Sequence, residues 1–195
     1  MLSLLEDCDL VSLSETDLIC NFDCGNPDLN DFFCNDAIKY QDQLLGQTLF
    51  FKLKESKEIV GAFTLSNDSI KVSDLPGSRA RKVRQEIPHA KSMNSYPATL
   101  IGRLGVAVKF AGHGIGGQVM DFIKSLCITE DANKCRFILV DSYNTEGALK
   151  YYTKNEFLYL FSTEEQEKIY YDISKESFLN SRFMYFDLMN WINKI

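Results

Sequence analysis

The spacing of hydrophobic residues along the chain switches between a period of two and a period near four, and each switch marks a predicted element. Leu10 to Leu13 predicts a first short strand. Asn26 and Pro27 predict a helix start, with Asn as the N-cap and Pro at the first helical position. The apolar face of this helix follows at helical spacing: Leu29, Phe32, Phe33, Ala37 and Tyr40. Gln47 to Leu53 and Ile59 to Leu65 predict two strands joined by a polar turn, which together form a hairpin.

The second half of the chain predicts strands that alternate with helices. A mostly polar region at 68–96, with a short basic helix at 78–86, comes before it. The predicted elements are then a strand at Ala98–Val108, a glycine-rich loop, a helix that runs to Cys127, a buried strand at Phe137–Val140, a helix at Thr145–Lys154, a strand at Phe157–Phe161 and a final strand at Arg182–Leu188. The acidic stretch at 163–176 predicts a helix or an ordered excursion.

This order of elements predicts the fold class. A hairpin-rich first half leads into a strand, glycine loop, helix, strand, helix and strand. We therefore expect an α/β (α+β) fold with a mixed, mostly antiparallel sheet of about six to seven strands flanked by helices. The chain has neither an internal repeat nor a linker-like stretch. We expect a single domain over residues 1–195, with its core at roughly 47–161 and a C-terminal elaboration and last strand at 162–195.

The composition is that of an ordinary globular protein. Of the 195 residues, 45% are hydrophobic and 25% are charged, which excludes collagen-like, low-complexity and disordered classes. No apolar run approaches the roughly 18–20 residues of a membrane span, and the first residues lack the basic leader of an export signal. The six cysteines include no Cys-x-x-Cys pair and there are two histidines, so zinc-site spacing is absent. We expect reduced thiols and a cytoplasmic location.

Charge is distributed unevenly along the chain. The formal net charge of −6 and a pI near 5.0 argue against general nucleic-acid binding. Residues 1–36 carry nine acidic side chains and no lysine or arginine, whereas residues 79–109 carry seven basic side chains and one acidic one. This asymmetry predicts a local positive surface that suits an anionic ligand or a docked partner.

Four glycines in six residues, Gly112, Gly114, Gly116 and Gly117, lie between a predicted strand and an amphipathic helix. Glycine lets the backbone approach a ligand closely, and the helix N-terminus adds partial positive charge, so the segment predicts a phosphate cradle; a plain glycine-rich turn is the alternative. The spacing also matches the dinucleotide fingerprint. However, the strand ends several residues before the first glycine, and about 50 residues after Asp141 are too few for a doubly wound sheet. No Gly-Lys-Ser/Thr follows, which excludes a Walker loop.

The segment Leu104-Gly-Val106-Ala-Val-Lys-Phe-Ala111-Gly-His-Gly-Ile-Gly116 resembles the acetyl-coenzyme A motif of the GNAT acetyltransferases. That motif is a strand ending in Leu-x-Val, then Gln/Arg-x-x-Gly-x-Gly. The resemblance implies these acetyl-CoA (coenzyme A) contacts: Leu104, Val106, Ala111, Gly112, His113, Gly114, Ile115, Gly116 and Gly117. Ala111 stands at the Gln/Arg position, so a side-chain contact to the pyrophosphate is missing, the backbone donor stays, and we expect weaker cofactor binding. His113 either supplies part of that charge or faces solvent.

A second segment resembles the later motif of the same family, which contains Asn, Ala, an aromatic-Tyr pair, Lys and Gly-Phe. The matching residues are Asn144, Ala148, Tyr151, Tyr152, Lys154 and Phe157, with Glu156 in place of the glycine. The resemblance implies that Asn144 and Lys154 contact the cofactor and that Tyr152 is the catalytic acid that gives a proton to the departing thiolate. The alternatives are a core-packing Tyr152, an Asn144 that caps a helix, and a Lys154 that is a solvated helix-end charge.

The ends of the chain resemble one branch, the toxin-like GNAT proteins. The matching segments are Phe22-Asp-Cys-Gly-Asn-Pro-Asp-Leu-Asn-Asp-Phe32, Gln47-Thr48, Ile59-Val-Gly61 and Gly102-Arg-Leu104. Members of that branch acetylate the α-amine of aminoacyl-tRNA and pair with a small DNA-binding antitoxin. The resemblance implies a V-shaped splay between the two central strands, a homodimer, and substrate or partner contacts at Arg79, Arg81, Arg84 and Arg103. For these arginines, a solvated helix face or an exposed strand position is the alternative.

The leading hypothesis is an acetyl-CoA-dependent N-acetyltransferase that acts on a primary amine, with the α-amine of aminoacyl-tRNA as its most specific form. A housekeeping acetyltransferase for a small-molecule amine or a protein N-terminus is the second hypothesis, and the acidic net charge favours it. A non-catalytic module that binds coenzyme A is the third. Ala111 and Glu156 are the features that favour this last hypothesis.

Overall fold

The computed structural model describes residues 2–14, 21–129 and 135–194. The strands are β1 (Cys8–Ser12), β2 (Gln47–Leu53), β3 (Ile59–Lys71), β4 (Ser95–Val106), β5 (Phe137–Tyr143), β6 (Leu158–Tyr159) and β7 (Ser181–Asp187). The helices are α1 (Leu4–Asp7), α2 (Pro27–Asp31), α3 (Ala37–Asp42), α4 (Gly77–Val83), α5 (Ile115–Thr129), α6 (Glu146–Lys154), α7 (Glu164–Tyr170) and α8 (Met189–Ile192). No helix within the described residues is both long and apolar enough to cross a lipid bilayer.

The seven strands form one sheet in the order β1-β2-β3-β4-β5-β7-β6. β1 with β2, β2 with β3, β5 with β7 and β6 with β7 are antiparallel pairs. This confirms the predicted α/β class with a mostly antiparallel sheet. The splay between the two central strands stays a prediction.

The chain divides into two compact units. The first is Met1–Ser66 with Ile101–Leu126, and the second is Asn67–Leu100 with Cys127–Ile195. Because β3 and β4 contribute residues to both units, no linker separates the units along the sequence, and this explains why the sequence predicts a single domain. The two units are described separately below.

The first unit is built on the β2–β3 hairpin, whose strand β2 has the predicted bounds. Val60, Ala62 and Phe63 on β3 are fully buried. The ring centroids of Phe51 and Phe122 are 5.0 Å apart in an edge-to-face contact, which holds α5 on the sheet. Phe50 and Phe51 are adjacent on β2 and therefore point to opposite faces of the sheet, and both are buried, so packing on both faces fixes the register of the hairpin.

The predicted N-cap of the first long helix is confirmed. The Asn26 side chain accepts hydrogen bonds from the N–H groups of Asp28 and Leu29, and Pro27 occupies the first helical turn. The helix is not regular, because Phe32–Asp36 forms a π-helical turn between α2 and α3. Such single π turns inside α-helices often lie at functional sites.

In the second unit β3 extends beyond the predicted end at Leu65. Asn67–Lys71 continues the strand, and Ile70 is fully buried in a core with Phe137 and Leu139. This stretch is mostly polar, so the hydrophobic pattern does not predict a strand there. The predicted strand Phe157–Phe161 is wrong in extent, because only Leu158 and Tyr159 pair with β7.

A buried ion pair joins α7 to β7. Glu167 has no exposed surface, and its Oε2 lies 2.6 Å from Nε of Arg182. Its other oxygen accepts the N–H of Phe183. Burial raises the pKa of Glu167, although the hydrogen bond from Arg182 opposes that rise. The acidic stretch after β6 is therefore an ordered helix, as the sequence predicts, and it is anchored by charge.

Candidate functional site

The loop between β4 and α5 carries the predicted phosphate cradle and lies wholly in the first unit. Gly112 and Gly114 have φ angles of +78° and +81°, in the left-handed region that favours glycine. A Cβ built on either residue, or on Gly117 in the first turn of α5, would meet no atom within 4 Å. The glycines therefore provide backbone conformation and open access rather than close packing, and a ligand can reach the main chain here.

Helix α5 adds the positive end of its dipole to this site. It has 15 residues and no acidic residue in its first turn, so its own side chains do not cancel the positive end of its dipole. The N–H groups of Gly117 and Gln118 donate to the carbonyl of Gly114 at 3.1 and 3.3 Å, which closes the first turn. An anion placed at this end would meet N–H groups and a favourable field, as at other phosphate sites on helix N-termini.

A pocket of about 550 Å³ opens on this loop. Its lining is Leu2, Lys109, Phe110, Gly112, His113, Gly114 and Ile115. The N-terminal segment reaches the loop because Gln118 holds its backbone: Gln118 accepts the N–H of Leu4 at 2.9 Å and donates to the carbonyl of Leu2 at 3.0 Å. Sequence reasoning missed Leu2, Lys109 and Phe110 as lining residues.

His113 is tied to its own loop. Its Nδ1 lies 2.8 Å from the carbonyl oxygen of Ala111. Because a carbonyl only accepts, Nδ1 carries the hydrogen, and Nε2 is left to face outward from this exposed side chain. The ring therefore stands beside the cradle, next to the position where Ala111 lacks the side chain of the family motif. A contact from this ring to an anion would need a hydrogen on Nε2 as well, so the supporting role of His113 stays a prediction.

The end of β4 presents Leu104 and Val106, both half-buried. The next two N–H groups along the chain are already used, because Ala107 donates to Val60 and Val108 donates to Asp23, each at 2.9 Å. Successive N–H groups of a strand point to opposite edges. The N–H of Val106 therefore points away from the edge that Ala107 uses to pair with β3.

Arg103 is exposed on β4 and packs against the irregular helix. Its guanidinium carbon lies 4.9 Å from the ring centroid of Phe32, a cation–π contact, and its Nη1 donates to the carbonyl of Gly102 at 2.8 Å. Phe32 lies at the start of the π-helical turn. The structure therefore places Arg103 at the surface of the first unit, where an acceptor could contact it.

Tyr152 lies on α6 in the second unit and is 8% exposed. Its ring makes edge-to-face contacts with Tyr151 at 5.0 Å and Phe157 at 5.4 Å between centroids. Burial raises the pKa of the Tyr152 phenol far above its ordinary value. The phenol therefore keeps its proton at neutral pH, which both the catalytic and the core-packing interpretation require.

Asn144 and Lys154 differ in availability. The Asn144 side-chain amide donates to Oε1 of Glu164 at 3.1 Å and to the carbonyl of Leu179 at 2.9 Å. Both hydrogens of the amide are thus engaged within the protein, and only its carbonyl oxygen stays available as an acceptor. Lys154 is exposed in the last turn of α6, where its charge also suits the negative end of the helix dipole.

The predicted basic helix is α4, and its arginines have different partners. Arg79 donates from Nε to the carbonyl of Leu160 at 2.9 Å and from Nη2 to the carbonyl of Tyr159. Its guanidinium therefore fastens α4 to the segment around β6. Arg84 is half-buried and donates to the carbonyl of Met93 at 3.3 Å. Arg81 is exposed, so it has the geometry of a residue that meets an external anion.

The first unit therefore holds the cradle and Arg103, whereas the second holds Asn144, Tyr152, Lys154 and the α4 arginines. Among the described residues, no group of three His, Cys, Asp or Glu side chains could hold a metal ion. The five cysteines that the structure describes are free thiols, and Cys20 lies outside the described residues.

Comparison with known proteins gives the fold. No protein-family model matches the chain, and no curated protein matches it in sequence. A solved structure of a tyrosine-to-phenylalanine mutant of KacT is similar with a TM-score of 0.71 and 17% identity, covering 97% of this chain and 100% of that one. The structure of AtaTR bound with AcCoA has a TM-score of 0.69 and 17% identity, and the match covers 97% of this chain and 98% of that one. The structure of AtaT complexed with acetyl-methionyl-tRNAfMet has a TM-score of 0.67 and 17% identity, and the match covers 96% of this chain and 99% of that one. The chain has the fold of these proteins, which is the GNAT fold that the sequence motifs predict.

Proposed function

We propose that this chain, which has the fold of KacT and AtaT, is an acetyl-CoA-dependent N-acetyltransferase whose acceptor is the α-amine of an aminoacyl-tRNA. The observation that carries the proposal is the open, left-handed loop at Gly112 and Gly114 in front of α5. The ligands of the structural neighbours also support the proposal: AtaTR was solved with AcCoA, and AtaT was solved with acetyl-methionyl-tRNAfMet.

The residues of the loop fit a diphosphate group. A Cβ at Gly112, Gly114 or Gly117 would fill the space that now leaves the main chain accessible. We assign the diphosphate to the backbone from Gly112 to Gly117, with Ala111 contributing only its main chain. His113 and the exposed Lys154 are the side chains that we assign to supporting charge. When bound, acetyl-CoA supplies an acetyl group already activated as a thioester.

Polarisation of the acetyl carbonyl is assigned to the backbone of Val106. The N–H groups of Ala107 and Val108 already have acceptors, and that of Val106 points to the other edge of β4. A fixed N–H aimed at a developing negative charge acts as an oxyanion hole and costs no reorganisation during the reaction. Leu104, two residues earlier on the same edge, lines the approach to it.

Tyr152 is assigned as the residue that holds a proton on its phenol oxygen for the departing sulfur. Burial raises its pKa, so the proton is present throughout the physiological range. The acceptor needs little help, because an α-amine with a pKa near 8 is partly unprotonated at neutral pH. A positioned general acid contributes about 10²–10⁴ in rate; the raised pKa keeps the proton on the Tyr152 phenol but makes it a weaker acid toward the thiolate.

For the acceptor we assign Arg81, Arg84 and Arg103 as contacts to tRNA. Arg79 is left out of this set, because two nitrogens of its guanidinium donate to backbone carbonyls of another segment, whereas Arg84 and Arg103 each use one in this way. We also propose an antitoxin partner, since AtaT was solved with the C-terminus of the antitoxin AtaR. We place the protein in the cytoplasm, where charged tRNA is found, and the free thiols of the described cysteines agree with this.

The first experiment is a thermal or urea unfolding series with acetyl-CoA. Ligand at 100 times its dissociation constant adds about 2.7 kcal/mol to the free energy of unfolding. A Gly114→Glu variant should show no such stabilisation, because its carboxylate repels the phosphates. Adenosine alone and pantetheine alone, two fragments of coenzyme A, serve as controls. They separate binding of the whole cofactor from binding of a fragment. Absence of any stabilisation by millimolar acetyl-CoA would overturn the cofactor assignment.

The second experiment identifies the acceptor. The protein is incubated with labelled acetyl-CoA and, in separate reactions, with charged tRNA, deacylated tRNA, small amines and peptides with free N-termini. Acetyl transfer to charged tRNA alone supports the proposal. Transfer to small amines or peptides instead supports the housekeeping enzyme, and cofactor binding without transfer to any acceptor supports the binding module.

A further inference from the structure

The segment Phe22–Asn30, here called the clasp, packs directly on the end of β4. Gly105 is the contact point on the strand. A Cβ built on Gly105 would lie 3.0 Å from Cβ and 3.1 Å from Sγ of Cys24, and 3.2 Å from a ring carbon of Phe22. No side chain fits there without moving the clasp. The absence of a side chain at this position therefore allows the clasp to touch the backbone of the strand.

The clasp is held in shape by one asparagine. Oδ1 of Asn30 accepts from the Cys24 N–H at 2.9 Å and from the Cys24 thiol at 3.1 Å. Nδ2 of Asn30 donates to Oδ1 of Asp23 at 2.8 Å, and the same oxygen accepts the N–H of Gly25 at 2.8 Å. Four hydrogen bonds thus converge on two side chains. Burial raises the pKa of the Cys24 thiol, so the thiol keeps the hydrogen that it donates.

The clasp grips the chain at a second point, three residues beyond Gly105. The N–H of Val108 donates to the carbonyl of Asp23 at 2.9 Å. On the other side, Ala107 donates to Val60 at 2.9 Å, and the carbonyl of Gly105 lies 3.2 Å from a Cβ built on Gly61. The four residues 105–108 are therefore fixed from two directions, by β3 and by the clasp.

We propose that the clasp is a positioning device for acetyl transfer, in which Cys24 and Asn30 hold Gly105 and thereby set the position of the Val106 backbone. The inference rests on the proposed function, in which the N–H of Val106 polarises the acetyl carbonyl. A hydrogen-bond donor acts on a developing charge only within a few tenths of an ångström of the right place. Val106 is the last residue of β4, where the regular ladder ends, so its backbone needs support from outside the strand, and the clasp supplies it.

The test begins with Gly105→Ala, which inserts a methyl group between strand and clasp. We expect kcat to fall about 10-fold, because strand and clasp must part by a few tenths of an ångström and a full 1 Å misplacement costs about 100-fold, while KM for acetyl-CoA changes less than about threefold. Gly102→Ala is the matched control on the same strand, since its Cβ would meet only the carbonyl of Thr64 at 3.9 Å. It should leave both constants within about twofold of wild type.

Rescue distinguishes positioning from general damage. Cys24→Gly removes the two nearest of the three atoms that the new methyl meets and leaves the Phe22 ring carbon at 3.2 Å, so Gly105→Ala with Cys24→Gly should regain at least about fivefold of the lost kcat. Two gentler variants, Cys24→Ala and Asn30→Ala, keep β4 intact and test the clasp if Gly105→Ala fails to fold. Each should lower kcat with little change in KM.

Hydrogen exchange of the Val108 amide gives a readout that does not depend on activity. Asn30→Ala should speed its exchange at least about tenfold relative to Gly102→Ala, because the hydrogen bond to Asp23 loosens. Faster exchange together with the kcat loss and its rescue supports the inference. Unchanged exchange, or a kcat equal to wild type in Asn30→Ala, overturns it. A wild-type protein that binds no acetyl-CoA fails the proposed function instead, and the positioning role falls with it.

Discussion

At the scale of single residues, Tyr152 offers the sharpest separation of chemistry from packing. Tyr152→Phe keeps the ring contacts with Tyr151 and Phe157 and removes only the phenol oxygen. If this oxygen supplies the proton, kcat should fall by about 10²–10⁴ while the affinity for acetyl-CoA stays within about twofold. Steady-state kinetics with charged tRNA and a binding titration measure the two quantities.

Tyr151→Phe is the matched control, because the neighbouring ring is half-buried and has no assigned role in proton transfer. The pH dependence gives a second check. Burial raises the pKa of the Tyr152 phenol, so its proton is lost only at a pH above the ordinary value near 10. The wild-type kcat should therefore show no fall from this group between pH 7 and about 10. Normal turnover in Tyr152→Phe would remove this residue from the mechanism.

Gly114 and Gly117 allow a matched comparison of two substitutions, because their backbone conformations differ while the space around each is similar. Both have open space where a Cβ would lie, but only Gly114 has a left-handed φ, of +81°. Gly114→Ala should lower the free energy of unfolding by about 1–2 kcal/mol. Gly117→Ala lies inside α5 and should raise it by roughly 0.5–1 kcal/mol, because alanine is the better helix former. Urea unfolding of both variants measures these changes.

The same pair reports on the ligand. Acetyl-CoA affinity should fall for both variants, since either methyl group stands between a phosphate and the main chain. If Gly117→Ala binds acetyl-CoA as tightly as wild type, the diphosphate does not lie on the first turn of α5. The four glycines could be singled out from sequence because glycine is the residue that tolerates a left-handed φ. The sequence did not reveal which two of them adopt it.

At the scale of elements, the end of α6 shows a turn that keeps its shape although the residue type has changed. Phe157 donates to the carbonyl of Tyr152 at 3.0 Å and Glu156 donates to Thr153 at 3.0 Å. These two bonds, and the contact between the Phe157 and Tyr152 rings, form a Schellman motif. Glu156 takes the left-handed φ of +68° that the motif usually gives to glycine. The family glycine is replaced, but the turn is kept.

Glu156→Gly should therefore stabilise the protein. Replacing Glu156 with glycine removes the steric cost of a left-handed φ and should raise the free energy of unfolding by about 1 kcal/mol. The exposed ion pair with Lys194 is lost at the same time and is worth at most about 1 kcal/mol. We expect a net gain of roughly 0.5 kcal/mol in thermal or urea unfolding, with kcat unchanged. Lys194→Ala isolates the ion pair. A loss of stability in Glu156→Gly larger than that of Lys194→Ala would contradict this account of the turn.

The elements differ in how far sequence could predict them, and local hydrogen bonding explains the difference. The bounds of β2 follow from a short apolar run that polar residues flank, and the start of α2 follows from Asn26 and Pro27, because both signals are local. The strand at 157–161 was overestimated because its first N–H closes the preceding helix. The second half of β3 was missed because its side chains are polar, and tertiary pairing decides such cases.

At the scale of the whole molecule, the sequence motifs led to the fold, whereas the contacts of individual arginines required the structure. The fold that the two motifs predict is the fold of KacT, although the two chains are only 17% identical. The direction of a side chain on α4 is not such a property. Arg79 and Arg81 are equivalent in a charge count, yet one fastens α4 to backbone carbonyls and the other faces solvent.

This difference yields a prediction for a protein whose net charge is −6. An acidic protein can bind tRNA only through a local basic surface, so few phosphates are contacted and the salt dependence of binding is shallow. Arg81→Ala should lower the slope of log K against log salt by about 0.7–0.9, the value of one phosphate contact, without changing stability by more than about 0.5 kcal/mol. Arg79→Ala should leave the slope unchanged but cost about 2–3 kcal/mol of stability, because two charge-assisted hydrogen bonds are lost. Binding isotherms at several salt concentrations and urea unfolding decide between these outcomes. A slope that changes with Arg79 rather than Arg81 would move the tRNA away from the exposed face of α4.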